Sequence, residues 1–348
     1  MAEHNTEAVV NAMITEMQRQ VPSGGVKTIY IGGGSPSSLS RELLLLLVYQ
    51  AAKQCPDAEE FTVEINPGQA DMELLFELRN AGVNRLSIGA QSFIQRELDF
   101  LGRKYDTKAI DQTIRQARNT GFDNISMDLI FAVPGSDPDS WKRNLNRAAE
   151  LAVEHISAYS LTYEHGTPLS RDLDAGMVKP VDEETDREMY YIAIDELERT
   201  GIHQYEISNF AKPGFQCRHN LNYWANGSYF GIGPGAASYL RGTRSTNYAD
   251  IKKYTDAAAK GENTAQETET LSEIERACET AVLNLRRRCG IETAEFERKT
   301  GFDALRLFAE PVSNYQRQGL IKVENGRICL TRDALVIADS ILCDFSTV

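Results

Sequence analysis

Between Val26 and Ala211 the chain alternates short β-rich runs with helical stretches, and nothing else in it restricts the fold as tightly. The runs are VKTIYI (26–31), FTVEINP (61–67), RLSIGAQS (85–92), NISMDLIFAVPG (124–135), HISAYS (155–160) and HQYEISNFA (203–211). Helical stretches follow from Arg41, near 71–80, up to about Asn119, from Asp139, and over Glu183–Arg199. Strand and helix in repeated succession predict a parallel sheet or barrel. Six strands fall short of an eight-stranded barrel, so an open or partial one is expected. A helix over residues 5–20, with Val9, Ala12, Met13 and Met17 at helical spacing, precedes the first strand. That start is unusual for a βα protein.

Such folds bind ligands beyond the carboxyl ends of their strands. The first strand ends in Gly32-Gly33-Gly34, followed by Ser35-Pro36-Ser37-Ser38 and a leucine-rich helix. Glycines let a ligand approach the backbone and leave its N–H groups free to donate. The spacing is not G-x-G-x-x-G, and no Gly-Lys-Ser/Thr follows, so neither a dinucleotide fingerprint nor a P-loop is present. A plain structural turn and a ligand loop both fit. Glu64, Gln91 and Asp128 stand at or near the ends of three further strands. Buried unpaired they would be costly, so each needs a partner: a structural hydrogen bond or a ligand. Together with the glycines they suit a polar, partly cationic small molecule.

Residues 217–244, rich in Gly, Asn and aromatics, read as a long ordered loop of the kind that carries function. A helix around 248–260 follows, and GENTAQETET (261–270) is the best linker candidate. Helices at 271–288, 293–299 and 302–318, a hairpin turning at Glu324-Asn325-Gly326 and a last helix suggest a winged-helix-like module. The boundaries expected are therefore 1–262 for a partial barrel and 263–348 for a mainly helical domain. A formal net charge of -13 argues against non-specific nucleic-acid binding, and the module's role is domain packing or a protein partner. The leucine run at 43–47 is too short to span a bilayer, and no signal pattern opens the chain, so a cytoplasmic protein is the default. Six cysteines form no C-x-x-C pair, which leaves neither a zinc site nor a disulfide framework legible. Cys278 and Cys289 are expected on one helix, ~16 Å apart.

The segments IGGGSPSSL, TVEINPGQ, RLSIGAQSF, LGRKYD, MDLIFAVPG, ISAYSLTYEHGTPL, YEISNFAKPGFQCRHNLNYW and GIGPGAASY occur in the order seen in one family. The chain resembles the radical-SAM haem chaperones (HemW), relatives of oxygen-independent coproporphyrinogen III oxidase, from about residue 5 to its end. The resemblance implies a radical-SAM-type partial barrel lacking its first strand. It matches Gly33, Gly34 and Ser35 to the strand that holds the methionyl amino group of S-adenosylmethionine (SAM). It matches Glu64, Gln91, Arg103 and Asp128 to the other SAM contacts, with Arg103 for the methionyl carboxylate or a nearby anion. His219, Asn220, Tyr223 and Trp224 match the H-N-x-x-Y-W signature of the chaperone branch, with His219 as the haem-iron ligand. Cys217 is a thiolate alternative, and bracing of an aromatic loop is the other reading of His219 and Trp224. Haem-accepting respiratory haemoproteins are the partners implied, with no nucleic acid and no membrane span, and a homodimer is allowed.

Departures from the family matter more. The C-x-x-x-C-x-x-C segment that holds a 4Fe–4S cluster is not in this sequence, so a shortened form or a cluster-less paralogue is expected, without radical chemistry as given. The glycine strand would then be an exposed sheet edge. Ser35, Ala132 and His165 stand where threonine, glycine and proline are usual. A porphyrinogen oxidase-like radical enzyme is the alternative, and it needs the cluster. An unrelated barrel enzyme would need a lysine or metal-ligand set at the strand ends, and the strands supply neither.

Overall fold

A computed structural model describes residues 3–347. The first half runs α1 (Glu3–Gln20), β1 (Thr28–Ile31), α2 (Arg41–Gln54), β2 (Glu60–Ile65), α3 (Met72–Asn80), β3 (Arg85–Gln91), α4 (Gln95–Phe100) and α5 (Thr107–Asn119). Next come β4 (Ile125–Phe131), α6 (Pro138–Glu150), β5 (His155–Ser160), α7 (Pro168–Asp174), α8 (Glu183–Arg199), β6 (His203–Gln204) and β7 (Asn209–Ala211). Local chemistry sets the helix starts. Asp71, Asp106, Asp137 and Asp182 each accept a backbone N–H of the first turn that no helical partner could take.

The chain packs as two compact units, one of them made of Tyr30–Arg41 and Phe61–Gln216. The sheet order is β1-β2-β3-β4-β5-β7-β6, open at both edges. From β2 to β5 the strands pair in parallel. The run 203–211, expected as one more strand, is instead a hairpin: β6 and β7 are antiparallel, and β7 lies antiparallel on β5. A connection this short cannot return a parallel strand. Its turn is pinned by the buried Glu206 carboxylate, which accepts from the Ser208 N–H at 3.0 Å. Helices pair over this unit, α3 with α5 and α6 with α8.

The other unit is Met1–Ile29, Glu42–Glu60 and Cys217–Val348. It contains α9 (Arg218–Trp224), β8 (Ala237–Leu240), β9 (Thr243–Asn247), α10 (Ile251–Ala259), β10 (Ala265–Thr270) and α11 (Glu273–Leu285). Then follow β11 (Ile291–Glu292), α12 (Thr293–Thr300), α13 (Ala304–Leu307), α14 (Ala309–Arg317), β12 (Ile321–Glu324), β13 (Arg327–Leu330) and α15 (Ala338–Cys343). Three expectations need correction here. Residues 217–244 are not a loop throughout but carry α9, β8 and the start of β9. Most of the expected linker is β10, paired antiparallel with β9 from Ala265–Asn247 to Thr270–Thr243. Cys289 also lies beyond the end of α11, off the helix that holds Cys278. The hairpin β12–β13 turns on Asn325 and Gly326, both at positive φ, 51° and 72°, as a two-residue turn of this hand requires.

Helix α1 packs on α10 through Ala12, Tyr254 and Ala258. Between them Glu16 is fully buried and accepts from the Gly233 N–H, Asn247, Tyr254 and Thr264. With Gln20 Nε2 at 3.2 Å, five donors repay the desolvation of one carboxylate. Among the described residues no helix is long and apolar enough to cross a membrane.

Candidate functional site

Side chains alternate faces along a strand, and in β2 to β5 the alternation separates apolar from polar. Val63, Leu86, Ile88, Met127, Leu129, Ile156 and Ala158 form one buried face. Glu64, Arg85, Ser87, Ser126, Asp128, His155 and Ser157 carry the other. The register sets Glu64 beside Ser87, Ser87 beside Ser126, and Asp128 beside Ser157. Ser87 donates to Asp128 at 3.3 Å, and Ser126 contacts His155 Nδ1 at 2.8 Å. The inner face is thus a hydrogen-bonded polar lattice, stacked toward the carboxyl ends of the strands.

At those ends lies a cavity of about 140 Å³. Gly34, Ser35, Glu64, Gln91, Arg103 and Asp128, all marked out by the sequence, line it. Gly33 does not line it, but its N–H donates to the Glu64 carboxylate. Asn66, Ser87 and Gly89 line it too and belong to the site. Asn66 ties its corner together by donating to Ser35 Oγ at 3.0 Å. A cavity smaller than roughly 300 Å³ does not enclose a whole drug-sized ligand; this one fits the polar end of one.

Three backbone features shape it. A register shift between Ile88 and Gln91 interrupts β3, and Gln91 sits at φ +63°, a conformation costing a side-chain-bearing residue about 1–2 kcal/mol. Strain of this kind persists where the surroundings enforce it, often at sites. A Cβ on Gly32 would stand 2.5 Å from Glu64 Oε1, and one on Gly89 2.9 Å from Gln91 Nε2. Both glycines make room for the carboxylate and the amide of the site.

Electrostatically the cavity is acidic with one cation. Burial pushes the Glu64 carboxyl up; Tyr30, which donates to it at 2.9 Å, opposes the shift, and the Asp128 charge adds to it. Burial likewise raises Asp128, against the Ser157 hydroxyl, Arg85 and Ser87. Arg103 brings a guanidinium whose Nε is buried without a hydrogen-bond partner. Two costly carboxylates and an unsatisfied guanidinium nitrogen suit a ligand with cationic groups and one carboxylate. Among the described residues no three His, Cys, Asp or Glu side chains stand together to hold a metal ion.

The other residues marked out by sequence stand on α9. Glu60 caps the start of this helix, its carboxylate accepting the N–H groups of Arg218 and His219, each at 2.9 Å. Cys217 is fully buried, its Sγ 3.5 Å from a carboxylate oxygen of the same Glu60. His219 and Tyr223, one turn apart, meet at 3.0 Å between Nε2 and Oη, while His219 Nδ1 lies 2.8 Å from Thr28 Oγ1. Burial pushes the Tyr223 phenol up to about 12. Trp224 is not part of that contact: its ring lies under the Arg286 guanidinium, 4.9 Å away, and its indole nitrogen is buried without a partner. Asn220 sits half-buried one turn before it.

The haem chaperone HemW of Bacillus subtilis (strain 168) is 37% identical over 97% of this chain and 90% of its own length. HemW of Lactococcus lactis subsp. lactis (strain IL1403) is 33% identical over 97% and 89%. The chain belongs to the HemW family. Profiles agree: the radical SAM superfamily matches residues 3–148, and the HemN C-terminal domain matches 271–337. The fold is that of coproporphyrinogen III oxidase (HemN) from Escherichia coli, a radical SAM enzyme, with a TM-score of 0.85 at 20% identity over 100% of this chain and 84% of that one. Sequence reasoning missed Ser87 and Gly89 in the cavity and, beside α9, Glu60 and Thr28. Neither Glu60 nor Thr28 carries a local signal, since each acts on a helix far downstream.

Proposed function

We propose that this protein binds haem at α9, holds SAM in the cavity at the strand ends, and passes the haem to acceptor haemoproteins in the cytoplasm. The observation that carries the reading is the convergence of Glu64, Gln91, Arg103 and Asp128 on one cavity. They come from three strands and the loop after α4, and all four had been matched to SAM contacts from sequence alone. In this reading Glu64 and Asp128 face the cationic groups, Arg103 the carboxylate, and Gln91 and the Gly33–Ser35 corner orient the ligand. SAM, when bound, supplies a sulfonium whose cleavage requires an electron. No ligand set for an iron–sulfur cluster stands among the described residues, and no step through one is assigned to them. In this reading the carboxylates and Arg103 act by binding and orienting SAM.

The test is a pair of titrations. Calorimetry should show SAM binding that Asp128→Ala removes. Haemin should give a shifted Soret band that His219→Ala weakens. Wild-type protein that leaves the haemin spectrum unchanged would sink the chaperone reading, whatever the fate of SAM.

A further inference from the structure

The His219 ring is engaged at both nitrogens, by Thr28 at Nδ1 (2.8 Å) and Tyr223 at Nε2 (3.0 Å). The two rings meet edge to face, centroids 4.9 Å apart at 88°, and Tyr223 is braced in turn by Tyr229 at 4.5 Å and 81°. With Glu60 holding the start of α9, the imidazole is oriented without any ligand. The proton arrangement follows from the partners' chemistry. A neutral imidazole has one donor and one acceptor nitrogen. A phenol is several orders of magnitude more acidic than an aliphatic alcohol and is the better donor. Tyr223 O–H therefore donates to Nε2, and Nδ1–H donates to Thr28 Oγ1. A hydrogen-bonded Nδ1–H with the lone pair on Nε2 is the state in which imidazole ligates metals. Here the lone pair is already spoken for.

We propose that Tyr223 is a latch over the iron-binding nitrogen of His219 and that Thr28 is the positioning residue that keeps that nitrogen a lone-pair donor. This rests on the reading of His219 as the haem ligand. Haem then binds by displacing the phenol from Nε2, and no bond other than hydrogen bonds breaks in the protein. The same competition eases release. When haem leaves, the phenol returns to Nε2, so the departing cargo does not strand an unsatisfied, partly buried acceptor. A carrier that must give up its cargo gains from an internal competitor in a way that a permanent haem enzyme does not.

Four variants test it by haemin titration and by spectroscopy. Tyr223→Phe keeps the ring packing and removes the competitor. It should bind haemin roughly two- to tenfold tighter, the worth of one net hydrogen bond, with the Soret maximum unmoved. Thr28→Val should keep histidine ligation, lower the frequency of the ferrous iron–histidine stretching band and raise the midpoint potential. Thr28→Ser should restore both. Unchanged or weaker haemin affinity in Tyr223→Phe, with a wild-type melting curve, would overturn the latch, and a stretching band unmoved in Thr28→Val would overturn the anchor. His219→Ala binding haemin with the wild-type spectrum would instead sink the ligand assignment itself.

Discussion

At the ends of β2, β3 and β4 the site residues surround space that already exists, whereas on α9 the histidine and tyrosine engage each other. The cavity keeps unmet demand: two carboxylates raised by burial and a guanidinium nitrogen with no partner. On α9 the demand of His219 is met internally by Thr28 and Tyr223. A preformed polar cavity suits a ligand that stays, because binding repays a desolvation cost already incurred in folding. A self-satisfied ligand pair suits one that comes and goes, because both states are hydrogen-bonded. The difference between a cofactor and a cargo is written into how each site treats its own polar atoms.

The harshest test of the contrast is Asp128→Ala. Truncating one partner of a buried charge contact costs about 2–5 kcal/mol, so SAM affinity should fall by roughly 30-fold or more in calorimetry. The wild-type pH profile gives the same information gently. Glu64 and Asp128 are both held above their usual range, so affinity for a cationic ligand should climb as pH rises through that raised range. Folding stability must move the other way. The folded chain keeps the Asp128 proton at pH values where the unfolded chain, near 3.8, has lost it. Stability is therefore lost as pH rises from the unfolded toward the raised folded pKa. Asp128→Asn should consequently melt higher than wild type at neutral pH, with the gap closing below the unfolded value, while SAM binding is lost. A variant that lost both would mean the carboxylate is structural.

Glu60→Gln strikes the other side. It keeps an acceptor oxygen but removes the charge that holds the Arg218 and His219 N–H groups, at a cost of about 1–2 kcal/mol. Melting temperature and the Soret response to haemin should both fall while the SAM isotherm is unchanged. Gly32→Ala does the reverse on a smaller scale. Its new methyl meets the Glu64 carboxylate and the Tyr30 ring, so SAM should bind roughly tenfold more weakly and haemin as before. If either variant moved both titrations, the two sites would not be independent.

What the sequence revealed and what it hid divide along the same line. The strand ends were legible because period-two alternation leaves polar residues such as Glu64 and Asp128 conspicuous inside apolar runs. The strand β10 was not, since AQETET has no apolar face and is held by its ladder to β9 and by polar pairs such as Arg244–Glu269, leaving it almost wholly exposed. Helix α9 hid for another reason. Seven residues without an apolar stripe give no helical signal, and the group that caps it, Glu60, lies 158 residues before Arg218. Gln91 was named from its place at a strand end, but the bulge that turns it into the cavity has no mark of its own. Thr28 is 191 residues from the histidine it holds. Non-local partners of this kind become visible only once the chain has folded.

The smallest predicted effect concerns where each side keeps its backbone strain. Near α9 the left-handed residue is Asn226 (φ +51°), just past the helix end, and asparagine tolerates that conformation well. After β4 it is Ala132 (φ +56°), and alanine does not. Ala132 is the alanine that the resemblance set apart as standing where glycine is expected, and glycine adopts a positive φ without strain. Ala132→Gly should relieve about 1–2 kcal/mol of left-handed strain. Against that stand about 0.5–1 kcal/mol of extra chain entropy in the unfolded state and the loss of a small buried methyl. The balance is a gain below about 1 kcal/mol, a rise in melting temperature of a degree or two. Ala132→Val supplies the control, because a β-branched residue is poorly suited to this region and should cost more than the glycine gains. Should valine melt no lower than alanine, the turn after β4 is not strained, and the left-handed strain of this unit rests on Gln91 and Ala152 (φ +55°).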